Sequence, residues 1–497
     1  MSRITFSAAL FAVACGALAV GVSPVSVNAQ VAPRPGSRTD TLRLSVEDAV
    51  AIAQRMSDEA RLSAAQVDVA EAQVALARAS GLPQLRINSS YSHVYENARS
   101  TAVNAVFNQP NTYSVTAAFS QPLFQGGRIL AAARAASDVR AASRLDEQET
   151  RARLNVDVQR AYLGALYNAR LLEIQRGNVT LASARLDQIE RLQTAGRAAR
   201  YDVLRARVER ANLEPLVIQA ENSRELAILE LKRLLNLPVD QPLVLTTALD
   251  PNAVRAMVPM MASLVDSISG LPDRPSLRSA ELNTKARREG LRIARADFLP
   301  SVTLNFNTGY QAFPPLKFGF PDRFGRTAAE FCQDENPTGR VCQNGGWFED
   351  RSIGATLSFP VFDGFRARSN LELARAQLRI ADLQLQQERE TVALEVARAR
   401  AELRRARSLF EARGQNSVEA QEAFQLASLR FTRGLSTQLE VSDAQLALLA
   451  AQSGEAQATY DLYLASAELA RALGQPIPFP PAGREPAVRR SENGTQR

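Results

Sequence analysis

Few residues in this chain could do chemistry. Its single histidine, His93, falls between Tyr91 and Tyr95 with no second ligand or base beside it. The three cysteines are Cys15, near the start, and the pair Cys332 and Cys342. No GxGxxG, P-loop, HExxH or CxxC pattern occurs, so no phosphate cradle, dinucleotide site or zinc site is spelled out. Nucleophile, base and oxyanion donors do not assemble from any spacing, so the chain reads as no enzyme, with no cofactor and no metal. The acids worth marking are Asp202 and the pair Glu440 and Asp443, which stand three apart and so share one face of a helix.

Those acids sit in a chain that repeats itself. Pro122 to Pro238 lands on Pro360 to Pro476 at an offset of 238 without a gap. Pro122, Phe124, Gly126, Arg128, Gly196, Val203, Arg233 and Leu235 fall on Pro360, Phe362, Gly364, Arg366, Gly434, Val441, Arg471 and Leu473. Upstream, Arg78 to Pro83 matches Arg295 to Pro300 at an offset of 217, so the second copy carries 21 more residues between the two blocks. Units this long are no solenoid array, whose repeats run to about 20–50 residues. They are two halves of one protein.

The length of 497 residues and the net charge of +7 leave nucleic-acid binding to be considered. Arg is interleaved with acids, as in Arg389-Glu390 and Glu402-Leu403-Arg404-Arg405, which makes a solvated helix face rather than a basic stripe. No nucleic-acid partner is expected. Arg3, an apolar run from Ile4 to Val22 and the small residues of Val27-Asn28-Ala29 predict a secretory signal peptide over 1–29. A retained anchor, or acylation at Cys15, is the alternative. No later stretch stays apolar for the ~18 residues that a membrane-crossing helix needs.

Residues 30–44 form a linker, and Ser45-Val46-Glu47-Asp48 opens a helix with a capping pattern. That helix, interrupted near Ser57, ends at Gly81-Leu82-Pro83. The period then changes to two. Strands are predicted at 84–96 and 112–121, with Leu85, Ile87, Tyr91 and His93 on one face, and at 301–311 and 352–360, with Val302, Leu304, Phe306, Ile353 and Leu357 on one face. Such two-faced strands suit an outer-membrane barrel, with His93 in its interfacial aromatic belt, or equally a soluble antiparallel sheet. Pro122 and Pro360 are expected to end the second strand of each pair. From Ile129 to about Ala195, and again from Ala367 to Arg433, nothing stops a helix of about 100 Å, which must pack along other helices. Leu172, Val179, Leu186 and Gln193 keep a seven-residue step along the first. Gly196 and Gly434 cap these helices, with tip turns at 196–202 and 434–440. Thus 45–238 is one repeat, 239–276 a joint, 277–476 the other repeat, and 477–497 a disordered tail. Cys332 and Cys342 lie in a loop over 313–351, and in an exported chain they are expected to form a disulfide.

Over about 45–475 the chain resembles the TolC-type outer membrane efflux and secretion channels. The resemblance rests on the tandem repeat and on Gly81-Leu82-Pro83 and Phe298-Leu299-Pro300 before the strand pairs. It also rests on Gln121 to Arg128 and Phe359 to Arg366, on both tip sequences, and on Arg274-Pro275-Ser276-Leu277, where Ser276 replaces the family's acid. It implies a mostly α fold with a β-barrel portion: a homotrimer in which each chain gives four strands to a twelve-stranded outer-membrane barrel, continuous with a helical tunnel across the periplasm. Its partners would be outer membrane lipid, a periplasmic adaptor and an inner-membrane transporter of the RND or ABC type. The adaptor would dock at Gly196, Arg197, Gly434, Leu435 and Val441. Asp202, Glu440 and Asp443 would form the periplasmic gate and its acidic ring, although Thr437-Gln438-Leu439-Glu440 is also a capping box. Phe431 and Ser436 stand where some relatives place a Tyr and an Arg that lock the gate. The alternatives are a periplasmic coiled-coil adaptor without a barrel, against which the duplicated strand pair argues, and a secreted enzyme, for which no constellation exists.

Overall fold

The computed structural model describes residues 41–95, 111–255, 272–312 and 347–475. The expected leader, Cys15, Cys332, Cys342 and the tail lie outside the described residues. The chain opens with β1 (Leu42–Leu44), α1 (Val46–Met56) and α2 (Asp58–Ala79). β2 (Gln84–His93), β3 (Asn111–Gln125), α3 (Arg128–Thr194), α4 (Arg200–Leu234) and β4 (Leu243–Leu245) follow. The order recurs with α5 (Pro275–Ala296), β5 (Ser301–Ala312), β6 (Trp347–Ser358), α6 (Arg366–Thr432) and α7 (Gln438–Ala472). Both long helices, α3 and α6, have 67 residues, and both returning helices, α4 and α7, have 35.

Two compact units divide the chain, and each draws on both repeats. The first takes Ala75–Ala133 and Glu289–Ala374 and holds a four-stranded antiparallel sheet in the order β2-β3-β5-β6. The register stacks like with like. Leu85 faces Phe119, which faces Phe306, which faces Ile353. On the other face Asn305 pairs with Gly354 and Asn307 with Ser352, and the Asn305 amide donates to Thr356 Oγ1 at 3.2 Å. The apolar face is bare: Leu85, Ile87, Ile353 and Leu357 are 68–75% exposed. A solvated sheet in a compact domain hides its apolar face, and this one does not.

Two strand limits correct the sequence reading. Pro122 does not end β3, which runs on to Gln125 through a register shift between Pro122 and Phe124. Pro122 stays opposite Thr303 and Leu123 is the residue left over, so the ladder passes the proline at a bulge. β6 begins at Trp347, inside the expected loop, because Glu349, Asp350 and Arg351 hide the period of two from inspection. In addition, β2 stops at His93, and the expected linker ends in β1.

The second unit takes the described parts of Arg38–Val74, Arg134–Arg288 and Arg375–Arg497 and is helical. Ser45 and Asp48 close a reciprocal capping box on α1. One core buries α1 against α3 and α4 through Val46, Val50, Leu154, Val158, Tyr162, Leu231 and Leu235. Tyr162 also clamps the joint: its hydroxyl donates to Leu44 O at 2.8 Å and accepts from Thr247 N at 3.2 Å, beside the parallel pairing of β1 with β4. A second core joins α6 and α7 through Leu403, Phe410, Leu462, Tyr463 and Leu469, with Val254 of the joint. Arg274, 4% exposed, fixes the start of α5 by pairing with Glu149 of α3 and Glu395 of α6, and both acids also bind Arg471. Burial works against charge on Arg274, but its two carboxylates outweigh it and hold the guanidinium pKa above its ordinary value. Among the described residues no helix is long and apolar enough to cross a membrane.

Candidate functional site

The acids marked in the sequence lie around two helical tips, both in the helical unit. At the first, Gly196 takes φ 72° and Arg197 N–H reaches back to Leu192 O at 2.8 Å. At the second, Gly434 takes φ 76° and Leu435 N–H reaches Arg430 O at 2.9 Å. Both are left-handed helix ends of the Schellman type. Nothing stands within 4 Å of where a Cβ would lie at either glycine, so the backbone alone calls for glycine. Gly196, Arg197, Gly434 and Leu435 are exposed. Val441 is not: it is 5% exposed, like its repeat mate Val203 at 6%, and offers a partner no surface. Val203 packs on Leu186, Ile189 and Ala206, which anchors the start of α4 to α3.

The three acids differ in how free they are. Asp202 accepts the Ala199 N–H at 3.1 Å and so caps α4. Glu440 and Thr437 form a reciprocal capping box on α7, and Glu440 Oε2 also lies 3.9 Å from Arg430 Nη1. Asp443, exposed, makes no hydrogen bond or ion pair among the described residues. Ser436 Oγ donates within the hairpin to Ala427 O at 3.4 Å, and Phe431 is half-buried.

Behind the second tip lies a polar cluster that the sequence reading missed. Arg185 of α3 is 9% exposed and reaches α7 at three points: Ser442 Oγ at 3.2 Å, Gln445 Oε1 at 3.4 Å and Gln438 O at 3.4 Å. Ser442 Oγ donates in turn to Glu209 of α4 at 3.0 Å, and Arg205 Nε donates to Glu209 at 3.1 Å. Burial pulls the Arg185 pKa down, the Glu209 carboxylate opposes that, and Arg205 adds to it. Gln438, 8% exposed, leaves both side-chain polar atoms without a partner among the described residues. The equivalent positions of the first tip carry Arg200, Leu204 and Arg207 in place of Gln438, Ser442 and Gln445, so the cluster belongs to α7 alone. No sequence signal separates Arg185 from the other cations in a chain with 59 Lys and Arg residues.

His93 Nδ1 lies 2.8 Å from Asn111 Oδ1, and its ring meets Tyr95 edge-on at 4.7 Å. It is a strand-end aromatic in a hydrogen-bonded pair. Among the described residues no three His, Cys, Asp or Glu side chains gather as a metal site requires.

Comparison with known proteins gives this architecture a family. The Outer membrane efflux protein family model matches residues 56–237 and 270–475. The pyoverdine export outer membrane protein OpmQ of Pseudomonas putida is 26% identical, over 91% of this chain and 90% of its own length. Outer membrane protein OprJ of Pseudomonas aeruginosa is 27% identical, over 94% of this chain and 95% of its own. The outer membrane protein VceC of Vibrio cholerae superposes with a TM-score of 0.68 at 19% identity, covering 87% of this chain and 97% of its own. The CmeC outer membrane channel of Campylobacter jejuni gives 0.69 at 16% identity, covering 86% of this chain and 85% of its own; these two likenesses establish the fold. The family match spans both repeats, the strand pairs and both tips, and the chain belongs to the outer membrane efflux protein family.

Proposed function

We propose that this chain is the outer membrane exit duct of a tripartite efflux pump or a type I secretion system, working as a homotrimer. The observation that carries the reading is the four-stranded sheet, apolar and bare on one face, whose outer strands β2 and β6 have one partner each among the described residues. Four strands are too few to close a barrel, and open edges are not tolerated in lipid. Joining β6 of one copy to β2 of the next removes every edge. Three copies give twelve strands, the number the family resemblance implies.

The repeat supports the same head-to-tail contact among the helices. Within the chain, Val156 of α3 packs on Leu464, Ala467 and Ala470 of α7. One repeat away, Leu394 of α6 is 49% exposed and Leu226 of α4, the mate of Leu464, is 56% exposed. Two faces related to a buried pair, both left bare, are complementary surfaces for neighbouring copies.

In this duct a periplasmic adaptor docks on Gly196, Arg197, Gly434 and Leu435, with an RND or ABC transporter of the inner membrane beneath it. Substrate passes without chemistry. Asp443 is the acid left free to line the mouth and favour cations, whereas Glu440 and Asp202 first serve as caps. A periplasmic adaptor without a barrel would not leave an apolar sheet face bare. Fractionation tests the reading. The protein is expected in the outer membrane, resistant to salt extraction, with a mass of three chains in detergent. Recovery as a soluble monomer overturns it.

A further inference from the structure

The helices behind the two tips carry their weakest residues at matched depths. Gly414 of α6 and Gly454 of α7 each lie 20 residues from the tip glycine Gly434, and Gly177 of α3 and Pro215 of α4 each lie 19 residues from Gly196. At a rise of 1.5 Å per residue, both levels stand about 30 Å from the turns. Gly414 is the one glycine of α6 and Gly454 the one glycine of α7, and neither helix holds a proline. α4 holds Pro215 and no glycine, whereas α3 holds Gly164 besides Gly177. Glycine and proline are the poorest helix formers. Two packed helices weak at different levels splint each other, but two that are weak at one level can bend there together.

The two breaks differ in kind. Pro215 lacks the N–H that would bond to Ala211 O, and its ring locks φ, so the first hairpin has a stiff break. The second has a soft one, with two glycines and the pair Ser453-Gly454, a kind of step at which helices kink. Its glycines lie side by side across the hairpin: a Cβ on Gly454 would stand 3.3 Å from Arg413 Cδ, and one on Gly414 would stand 4.0 Å from Glu455 Oε1. A residue from outside the hairpin also reaches this level. Arg255, at the end of the described joint, sets its guanidinium carbon 6.0 Å from the centre of the Phe410 ring and its Nη2 3.7 Å from the Cβ position of Gly414. Phe410 is 2% exposed, lies one turn before Gly414 and shares its core with Val254 of the joint. At Gly177 nothing among the described residues stands within 4 Å of the Cβ position. The contacts at Gly414 and Gly454 are internal to one chain, between α6, α7 and the joint.

We propose that Gly414 and Gly454 form a hinge in the second hairpin and that Arg255 is the positioning residue that restrains it. The guanidinium lies on Phe410 and across Gly414, so the joint holds α6 at the level where the hairpin can bend. The position of the second tip then depends on a residue of the joint, about 30 Å away along the helices. What that coupling serves, control of the mouth from the joint, rests on the duct reading above.

Hydrogen exchange read by mass spectrometry on the full-length protein in detergent tests the hinge. In the parent protein, peptides covering 411–417 and 451–457 are expected to show protection about tenfold lower than peptides two turns away on the same helices. Arg255→Ala is expected to lower protection a further several-fold in those two windows and to leave peptides around Gly177 and Pro215 unchanged. Gly414→Ala with Gly454→Ala is expected to raise protection there to the level of the flanking turns; Arg413, the close neighbour of Gly454, is an exposed and flexible side chain that can move aside. Uniform protection along α6 and α7 in the parent overturns the hinge. An Arg255→Ala protein with unchanged protection in both windows, or with protection lost equally in the first hairpin, overturns the restraint. The exchange pattern is independent of conductance, so a protein that shows the hinge but conducts no ions contradicts the duct reading alone.

Discussion

Val156 and Leu394 are equivalent residues of the two repeats, 238 positions apart, yet one is 3% exposed and the other 49%. The first lies on α7 of its own chain. The second is half exposed among the described residues, and in the proposed trimer it meets the α4 face of a neighbour. Leu394→Asp is therefore expected to shift the detergent-solubilised protein from three chains to one while far-ultraviolet circular dichroism keeps its helical content. The lost burial of one leucine is about 2 kcal/mol per interface, before the added cost of an unpaired charge. Val156→Asp, by contrast, places the charge inside the chain and is expected to unfold it.

Arg185 supports the start of α7 through Ser442, Gln445 and Gln438, and Ser442 carries the contact on to Glu209. Removing one member strands the others, at about 1–3 kcal/mol for each buried polar group left unpaired. Arg185→Met is expected to loosen the α7 tip, raising single-channel conductance, with trimer yield unchanged. Unaltered conductance would reduce the cluster to local packing.

At the mouth, the Asp443 carboxylate has no partner among the described residues and that of Glu440 has two: the Thr437 N–H, which donates to Oε1 at 3.4 Å, and Arg430, 3.9 Å from Oε2. Asp443→Asn is expected to lower cation selectivity and weaken block by multivalent cations from the periplasmic side. Glu440→Gln is expected to change selectivity little and to keep the capping box, since the Gln oxygen can still accept from the Thr437 N–H. The reverse order in reversal-potential measurements would show Glu440 to be the exposed charge.

Tyr463 is 3% exposed and its hydroxyl finds no hydrogen-bond partner among the described residues. Burial, and secondarily the Asp250 charge, push its pKa up to about 12. The folded chain therefore keeps a proton that the unfolded chain releases near pH ~10. The corresponding stability is complete below about pH 10 and is lost as pH rises toward 12. Tyr463→Phe is expected to abolish that alkaline loss and to raise stability at neutral pH by about 1 kcal/mol, since no bond is broken. Thermal unfolding in detergent at neutral and alkaline pH checks both.

The duplication, the long helices and the strand faces were legible because each is periodic: Leu85, Ile87 and Tyr91 at two, Gly196 and Gly434 at 238. The path of β3 beyond Pro122 was not, since a bulge at Leu123 leaves no mark in the pattern. Nor was the burial of Val441, because a tip residue faces α3 or solvent according to helix phase. Arg185 stayed hidden for a related reason, its partners being 253 to 260 residues away. The acids were found by type and spacing, but their division into two caps and one free carboxylate depends on contacts of three to ten residues that several sequences could make.

Planar-bilayer recording of the purified full-length protein tests the central claim most directly. Discrete, ohmic conductance steps are expected, each arising from an assembly of three chains and each diminished in cation preference by Asp443→Asn. Stable insertion into the bilayer without conductance steps, or steps from a protein that remains monomeric, would contradict it.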